Sequence, residues 1–307
     1  MKFTPEQIKG RIQNTAKINN ADPRTLMRLF MMERFLERLA NSKYKDNFII
    51  KGGVLVCAMV GLGLRSTMDI DTSVRNLNLT PYEAKEIINN IINIDLHDGV
   101  TFKIKKISGI MDKMEYPGVR FSMDAKLGSL ITPINIDIST GDAITPRAIE
   151  YQYKLLLDDH SIKLWSYNLE TILAEKLQTI LARGIYNTRM RDFYDVKTLL
   201  SLYKNDIDKD LLKKAFHSTC STRGTDGLKE KRNLILTEIE KDETLQRLWE
   251  SYRKKYFYSA GIDYLDVINS IRDASNLDLI LLNKQFSFAV YGINNLLALI
   301  VWTMTIY

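Results

Sequence analysis

The sequence predicts an α+β fold, a mixed β-sheet with helices followed by a mainly helical region. Three observations carry that expectation. Residues 67–74, 100–107 and 133–139 alternate polar and apolar side chains with the period of two that a half-buried strand requires. A helix separates the first two, opened by Thr80-Pro81-Tyr82-Glu83, a capping box with proline in the first turn. After Thr145-Pro146 the apolar period becomes helical almost throughout. Strands first and helices later is the order of an α+β chain.

In chain order, residues 3–39 read as helical, with Leu26, Leu29, Phe30, Phe35, Leu36 and Leu39 on one face and Asp22-Pro23 as cap and first turn. Asn47-Phe48-Ile49-Ile50 is a short apolar run ended by Lys51-Gly52-Gly53, the mark of a buried strand running into a turn. Residues 54–60 fit a short helix that stops near Gly61 and Gly63. The strand 67–74 is followed by a helix from the Thr80 cap to residue 93, then by strands at 100–107, 118–123 and 133–139. Residues 162–165 make a last strand, and Asn168 caps a helix that runs to Arg183 and stops at Gly184. The next helix, 188–203, presents Phe193, Val196, Leu199, Leu200 and Tyr203 as its apolar stripe. Segments 208–220, 226–257 and 262–275 continue the helical texture.

With 307 residues, 45% hydrophobic and 26% charged, the chain can bury a sizeable core and does not resemble a disordered one. Lys and Arg number 43 against 37 Asp and Glu, and the resulting +6 permits an acidic partner such as RNA without requiring one. Cys57 and Cys220 stand far apart without metal-type spacing, which excludes a disulfide scaffold and a zinc finger and suits a reducing cytoplasm. The first residues lack the apolar core of a signal peptide, and no Gly-Lys-Ser/Thr phosphate loop occurs. His97, His160 and His217 show no ligand spacing and read as surface or loop residues. No charged residue follows Lys284, and the apolar run ending at Trp302 is preceded by Gly292, Asn294 and Asn295. It falls short of the roughly 20 apolar residues of a membrane span, so this tail is expected to dock on the body or on a partner, not in a membrane.

The residues with the clearest chemistry are Lys51-Gly52-Gly53 and Arg65-Ser66-Thr67-Met68-Asp69-Ile70-Asp71. Asp69 and Asp71 point to one face of their strand while Met68 and Ile70 point to the other. Two carboxylates at that spacing can hold Mg²⁺ together with substrate phosphates, or can simply be a solvated face. The Gly52-Gly53 turn offers backbone N–H groups to anionic oxygens. Asp137 shares a strand face with Asn135, and beside Asp69 and Asp71 it would complete a three-carboxylate metal site; alone it is a solvent-facing strand end. Lys176 lies on a helix whose other face is apolar, where it is either a triphosphate contact or a surface lysine paired with Glu170 or Glu175. Asp192 and Asp195 are helical neighbours opposite an apolar stripe, and Asp195 is expected to orient Arg191 or Lys197. Lys213, Lys214, Arg223, Lys229, Lys231, Arg232 and the Arg253-Lys254-Lys255 run with its tyrosines could line an RNA path or form a solvated helical surface.

A glycine turn, a helix, an Asp-x-Asp strand and a later carboxylate strand, in that order, resemble the nucleotidyltransferase core of the DNA polymerase beta superfamily. The helical motifs Leu173-Ala174-Glu175-Lys176-Leu177, Arg183 and Asn187-Thr188-Arg189-Met190-Arg191-Asp192-Phe193-Tyr194-Asp195 sharpen the likeness. Together they resemble the AbiEii/AbiGii nucleotidyltransferase toxin family, AbiEii most of all. The resemblance implies a type IV toxin–antitoxin, phage abortive-infection toxin that moves a nucleotide from an NTP, GTP among the candidates, to an RNA acceptor such as tRNA. It implies a separately encoded antitoxin and Mg²⁺ as cofactor. It makes Asp69 and Asp71 metal ligands, Lys176 a phosphate contact and Asp192 a catalytic carboxylate. It also places Lys51, Gly52, Gly53, Arg65, Ser66 and Thr67 around the NTP. The superfamily's glycine-serine turn is Gly52-Gly53 here, so a phosphate-binding hydroxyl would come from Ser66 or Thr67. The expected organisation is a nucleotidyltransferase domain over 1–145, a helical domain over 146–285 that contributes to the same site, and the tail 286–307. The alternatives of other classes are a non-catalytic NTP- or RNA-binding growth inhibitor and a nucleotidyltransferase for a small molecule.

Overall fold

Side-chain caps decide where the helices begin. The structure, a computed structural model, describes residues 3–77, 80–110 and 118–276, so the tail 286–307 lies outside the described residues. The first helical stretch is two helices, α1 (Pro5–Ile18) and α2 (Pro23–Ala40), each started by a cap and a proline. Thr4 closes a capping box on Gln7, and the Asp22 carboxylate accepts from the Arg24 and Thr25 N–H groups. Thr80 and Glu83 form the expected box at the start of α4 (Pro81–Ile92).

Seven strands form one mixed sheet. They are β1 (Phe48–Lys51), β2 (Asp69–Val74), β3 (Val100–Ile110), β4 (Gly118–Leu127), β5 (Leu130–Thr140), β6 (Ile149–Lys154) and β7 (Ser161–Ser166). Their spatial order is β3-β4-β5-β2-β1-β7-β6. β2 runs parallel to β5 and antiparallel to β1, while β1 runs parallel to β7. The strand β6 has no counterpart in the sequence reading, because Ile149-Glu150-Tyr151-Gln152-Tyr153-Lys154 is an edge strand with only Tyr153 deeply buried. β7 is the last strand the sequence reading expects at 162–165, and with β6 it carries the sheet past residue 145.

The inward residues of β4 and β5, among them Phe121, Met123, Ile134, Ile136 and Ile138, pack under α2 and α4. This leaves the opposite face of the same strands to polar side chains. The helix α3 (Gly52–Val60) follows β1 directly and packs on β1 and β2. Cys57 on it is buried, as expected of a core cysteine.

The helical part comprises α5 (Leu169–Arg183), α6 (Met190–Tyr203), α7 (Lys209–Thr222), α8 (Leu228–Lys241), α9 (Glu243–Lys255) and α10 (Tyr264–Ser275). The Asn168 side chain caps α5 at 2.8 Å from the Thr171 N–H, and Gly184 ends it with φ +51. The segment of helical texture over 226–257 resolves into α8 and α9, divided at Asp242, whose carboxylate caps α9 through the Leu245 N–H at 2.8 Å. The helix α5 is buried on nearly all sides, against α6, α7 and α8, and its polar residues Glu170, Lys176 and Gln178 are inside with the rest. One contiguous apolar core joins the sheet's helices to this helical part. Among the described residues no helix is long and apolar enough to cross a membrane.

A carboxyl sits inside that core. Glu33 on α2 accepts from the Leu156 N–H at 2.9 Å and meets the Tyr153 hydroxyl at 3.5 Å. Burial pushes its pKa up to about 8, against the opposing pull of the Leu156 N–H and Arg34. The folded chain therefore keeps a proton that the unfolded chain loses above its ordinary value of 4.5. Stability from this group is full in acid and falls as pH rises towards 8, by about 1.4 kcal/mol per pH unit. Glu33→Gln is expected to abolish that part of the slope in urea unfolding between pH 5 and pH 8. Equal slopes for the two proteins would show that Glu33 is ionised in the fold.

Candidate active site

The strand β1 ends where backbone, not side chain, is wanted. Gly52 has φ +61, the left-handed region that glycine enters freely, and a Cβ on it would overlap the Asp71 carboxylate. The adjoining Gly53 N–H donates to Asp71 Oδ2 at 3.1 Å. A Cβ on Gly53 would lie 2.7 Å from Thr67 Oγ1, so the Thr67 hydroxyl stands where a side chain on the turn would otherwise be. Ser66 is represented in the network by its carbonyl, which accepts from Arg65.

The pairing of β2 with β5 brings three carboxylates onto one face. Asp69 lies opposite Asn135 and Asp71 opposite Asp137, and the Asn135 amide donates to Asp69 Oδ1 at 2.9 Å. Asp71 is half-buried beside Asp137, and desolvation together with that neighbouring charge pushes its pKa up to about 6. Arg120 on β4 lies opposite Asp137 and grips both of its oxygens, Nε at 2.7 Å and Nη2 at 2.5 Å. Asp137 is thus the register neighbour the sequence reading expects, but its oxygens are engaged by Arg120. Among the described residues no group of three His, Cys, Asp or Glu assembles as a ready metal site.

The donor set still suits a hard cation. Asp69 and Asp71 offer oxygen ligands from one strand face, and Mg²⁺ ordinarily takes one or two carboxylates and leaves its other positions to water and substrate phosphates. The carboxyl of Asp71, held above its usual range by desolvation and then by the neighbouring Asp137 charge, is the kind of group a divalent ion relieves.

The same cavity is lined by members of a buried ion cluster. Lys176 Nζ is 2.8 Å from Asp192 Oδ1 and 2.7 Å from Asp195 Oδ2. Asp195, with 0% of its side chain exposed, also accepts from Arg65 Nε at 2.6 Å and Nη2 at 3.1 Å. Burial disfavours charge on Lys176, yet Asp192 and Asp195 outweigh it and hold its pKa above the ordinary lysine value. Burial likewise opposes the Asp195 charge, and Arg65 and Lys176 outweigh it to hold the carboxyl low.

The expectation that Asp195 orients Arg191 or Lys197 on a solvated face is therefore corrected. Its partners are Arg65, from the loop before β2, and Lys176 on α5. Periodicity along α6 could not reveal this, because both partners are remote in sequence. The surface pairing of Lys176 with Glu170 or Glu175 is also corrected. Glu170 accepts from the Asp208 N–H at 3.0 Å, and Glu175 pairs with Arg223 at 3.0 Å and faces Lys51 at 3.9 Å.

Lys51 itself is bonded to Asp142 at 2.8 Å, and Glu175 and Asp142 hold its pKa up against burial. These groups line a cavity of about 770 Å³ that takes in Gly52, Gly53, Thr67, the Asp69–Asp71–Asp137 face, Lys176 and Asp192. That size is ordinary for a small-molecule or nucleotide site. Arg65 enters its wall with a guanidinium already held by Asp195. Arg120, Asp142 and Arg223 are cavity residues that the sequence reading did not select for the site. Only the strand register and the packing of α7 against α5 bring them in.

Over residues 34–270 the chain matches the family described as nucleotidyl transferase AbiEii toxin, type IV toxin–antitoxin system. It belongs to that family. The AbiEii-family chain is accordingly a nucleotidyltransferase of a toxin–antitoxin, abortive-infection system, a class with a nucleotide substrate and a separate antitoxin. No curated protein matches it. Among solved structures, it is similar to JHP933 from Helicobacter pylori at 15% identity and a TM-score of 0.47, over 89% of this chain and 97% of that one. An antigenic nucleotidyltransferase-like protein from Paracoccidioides brasiliensis aligns at 12% identity and a TM-score of 0.38, over 67% and 91%. The antibiotic-resistance factor ANT(2'')-Ia aligns at 11% identity and a TM-score of 0.40, over 68% and 99%.

Removing the shared carboxylate would leave the buried Arg65 without its ion-pair partner and Lys176 with Asp192 alone. Asp195→Asn in the AbiEii-family chain is expected to cost about 3–5 kcal/mol of folding stability. Asp192→Asn, which leaves Lys176 paired with Asp195, is expected to cost about 1 kcal/mol. Urea denaturation of both variants checks the order, and equal losses would refute the bridging role of Asp195.

Proposed function

We propose that the protein transfers a nucleotide from an NTP to the hydroxyl of an RNA acceptor, tRNA first among candidates, in the cytoplasm. GTP is one candidate donor. The observation that carries the reading is a single cavity lined by a carboxylate face on β2 and β5, by the Gly52-Gly53 turn and by Lys176.

In this reading the triphosphate lies along Gly52, Gly53 and Lys51, with the Thr67 hydroxyl taking the part of a turn serine. Lys176 has two carboxylate partners and three N–H donors, which leaves one donor for a phosphate oxygen. Asp192 works through Lys176 by holding its ammonium group at the cavity wall. Arg65 keeps the loop before β2 in place through Asp195, and Ser66 follows it. Asp69 and Asp71 would hold Mg²⁺, with Asp137 beside them, and the bound ion would supply charge neutralisation for the triphosphate and leaving pyrophosphate. The acceptor oxygen forms a bond to the α-phosphorus as the bond to pyrophosphate breaks, and the hydroxyl proton passes to Asp137.

The test is incubation of the full chain with each of four α-labelled NTPs and purified RNA, with and without Mg²⁺. Label is expected on RNA with one or two NTPs, only when Mg²⁺ is present. Asp69→Asn is expected to lower transfer by a factor of about 100 or more, several kcal/mol of transition-state stabilisation. Its melting temperature should stay near that of the parent. RNA retained without label would favour the non-catalytic inhibitor, and undiminished transfer by the variant would remove Asp69 from the site.

A further inference from the structure

Register carries the polar face of the active site well beyond the cavity. Directly paired residues in neighbouring strands share a face. Asp69, Asn135, Ser122 and Lys106 form one such row across β2, β5, β4 and β3. The next row beyond it pairs Asp124 with Lys103, and the one after pairs Lys126 with Thr101. The row of Asp69 ends at Lys106 three strand spacings away, about 14 Å.

This face is uncovered. Lys103, Lys105, Lys106 and Lys126 are all exposed, whereas the alternate residues of the same strands are packed under α2 and α4. Past Asp137 the acidic residue on these three strands is Asp124, and Lys105 reaches it at 3.4 Å. The ladder from Arg120 to the sheet edge is therefore strongly positive. Several cations of the helical part are held in ion pairs, while Arg189, Arg191 and Lys255 line the cavity itself. Arg223 is engaged by Glu175, Lys229 by Asp226, and Arg253 by Glu250 and Asp263.

Direction follows from the reaction. In-line transfer sets the attacking and leaving oxygens on opposite sides of the phosphorus. With the pyrophosphate assigned to the Gly52-Gly53 turn and Lys176, the attacking hydroxyl arrives from the β5 side, where the sheet runs open to its edge. We propose that the RNA acceptor lies across the open face of β3, β4 and β5, its phosphates on Lys103, Lys106 and Lys126 and its reacting end directed at Asp69 and Asp71. The proposal rests on the nucleotide-transfer reading for its direction, and on the exposed lysine ladder for its location.

The test is fluorescence anisotropy of end-labelled total tRNA with the full chain and with Lys103→Gln/Lys106→Gln/Lys126→Gln. Affinity for the tRNA is expected to fall about tenfold or more, and the slope of log affinity against log salt to lose about 2. NTP affinity, read separately with a fluorescent NTP, stays unchanged. A helical control, Lys214→Gln/Lys231→Gln/Lys254→Gln, is expected to hold tRNA within about twofold of the parent. Unchanged tRNA affinity in the sheet variant, or an equal loss in the helical control, overturns the proposal. So does a sheet variant that keeps its tRNA affinity but escapes the antitoxin, which would assign the face to a protein. Failure of the parent to transfer label would count against the transfer reading alone, since tRNA retention is measured without chemistry.

Discussion

Asp195 holds the molecule's two chemical sides at a fixed separation. Its carboxylate is fully buried and bridges Arg65, in the segment leading into β2, to Lys176 on α5. Charges placed this deep are favourable only while each keeps its partner, because neither cation has water to fall back on. The pairing is also what makes a helix in the second half and a strand in the first share one cavity. With Asp192 included, two cations meet two anions, so the cluster is electrically balanced and Lys176 stays protonated where a lone buried lysine would not.

The second constraint is strand register. Asp71 stands level with Asp137 because β2 and β5 run parallel in this alignment, and a slip of one residue would turn Asp137 into the core and Ile136 or Ile138 outward. The buried isoleucines of β5 therefore protect the geometry of the carboxylates on its other face. Gly52 imposes a similar condition from the neighbouring strand, since β1 can approach Asp71 only where no Cβ intervenes. Hydrophobic packing and the glycine turn thus position a set of like charges that would not gather on their own.

A net charge of +6 describes this surface poorly. The Asp69, Asp71 and Asp137 carboxylates are concentrated in the cavity, and the exposed lysines of β3 and β4 flank it on the open side. Such a separation suits a reaction in which a metal-bound polyphosphate and a second polyanion meet at one phosphorus. In the proposed transfer the negative centre would take a cation, and the positive margin would attract the acceptor backbone.

Much of this was legible in the chain itself. Alternation in residues 133–139 dictates which side of β5 faces the core, and the caps at Asp22, Thr80 and Asn168 fix helix starts through local hydrogen bonds. Asp69 and Asp71 share a face by the period of two, and the ordered motifs identify the family. These are short-range consequences of side-chain geometry, readable without knowing what lies alongside. The burial of Lys176, the grip of Arg120 on Asp137 and the partners of Asp195 were decided by tertiary structure. Each joins residues far apart along the chain, and no local period encodes which distant group a buried charge will meet.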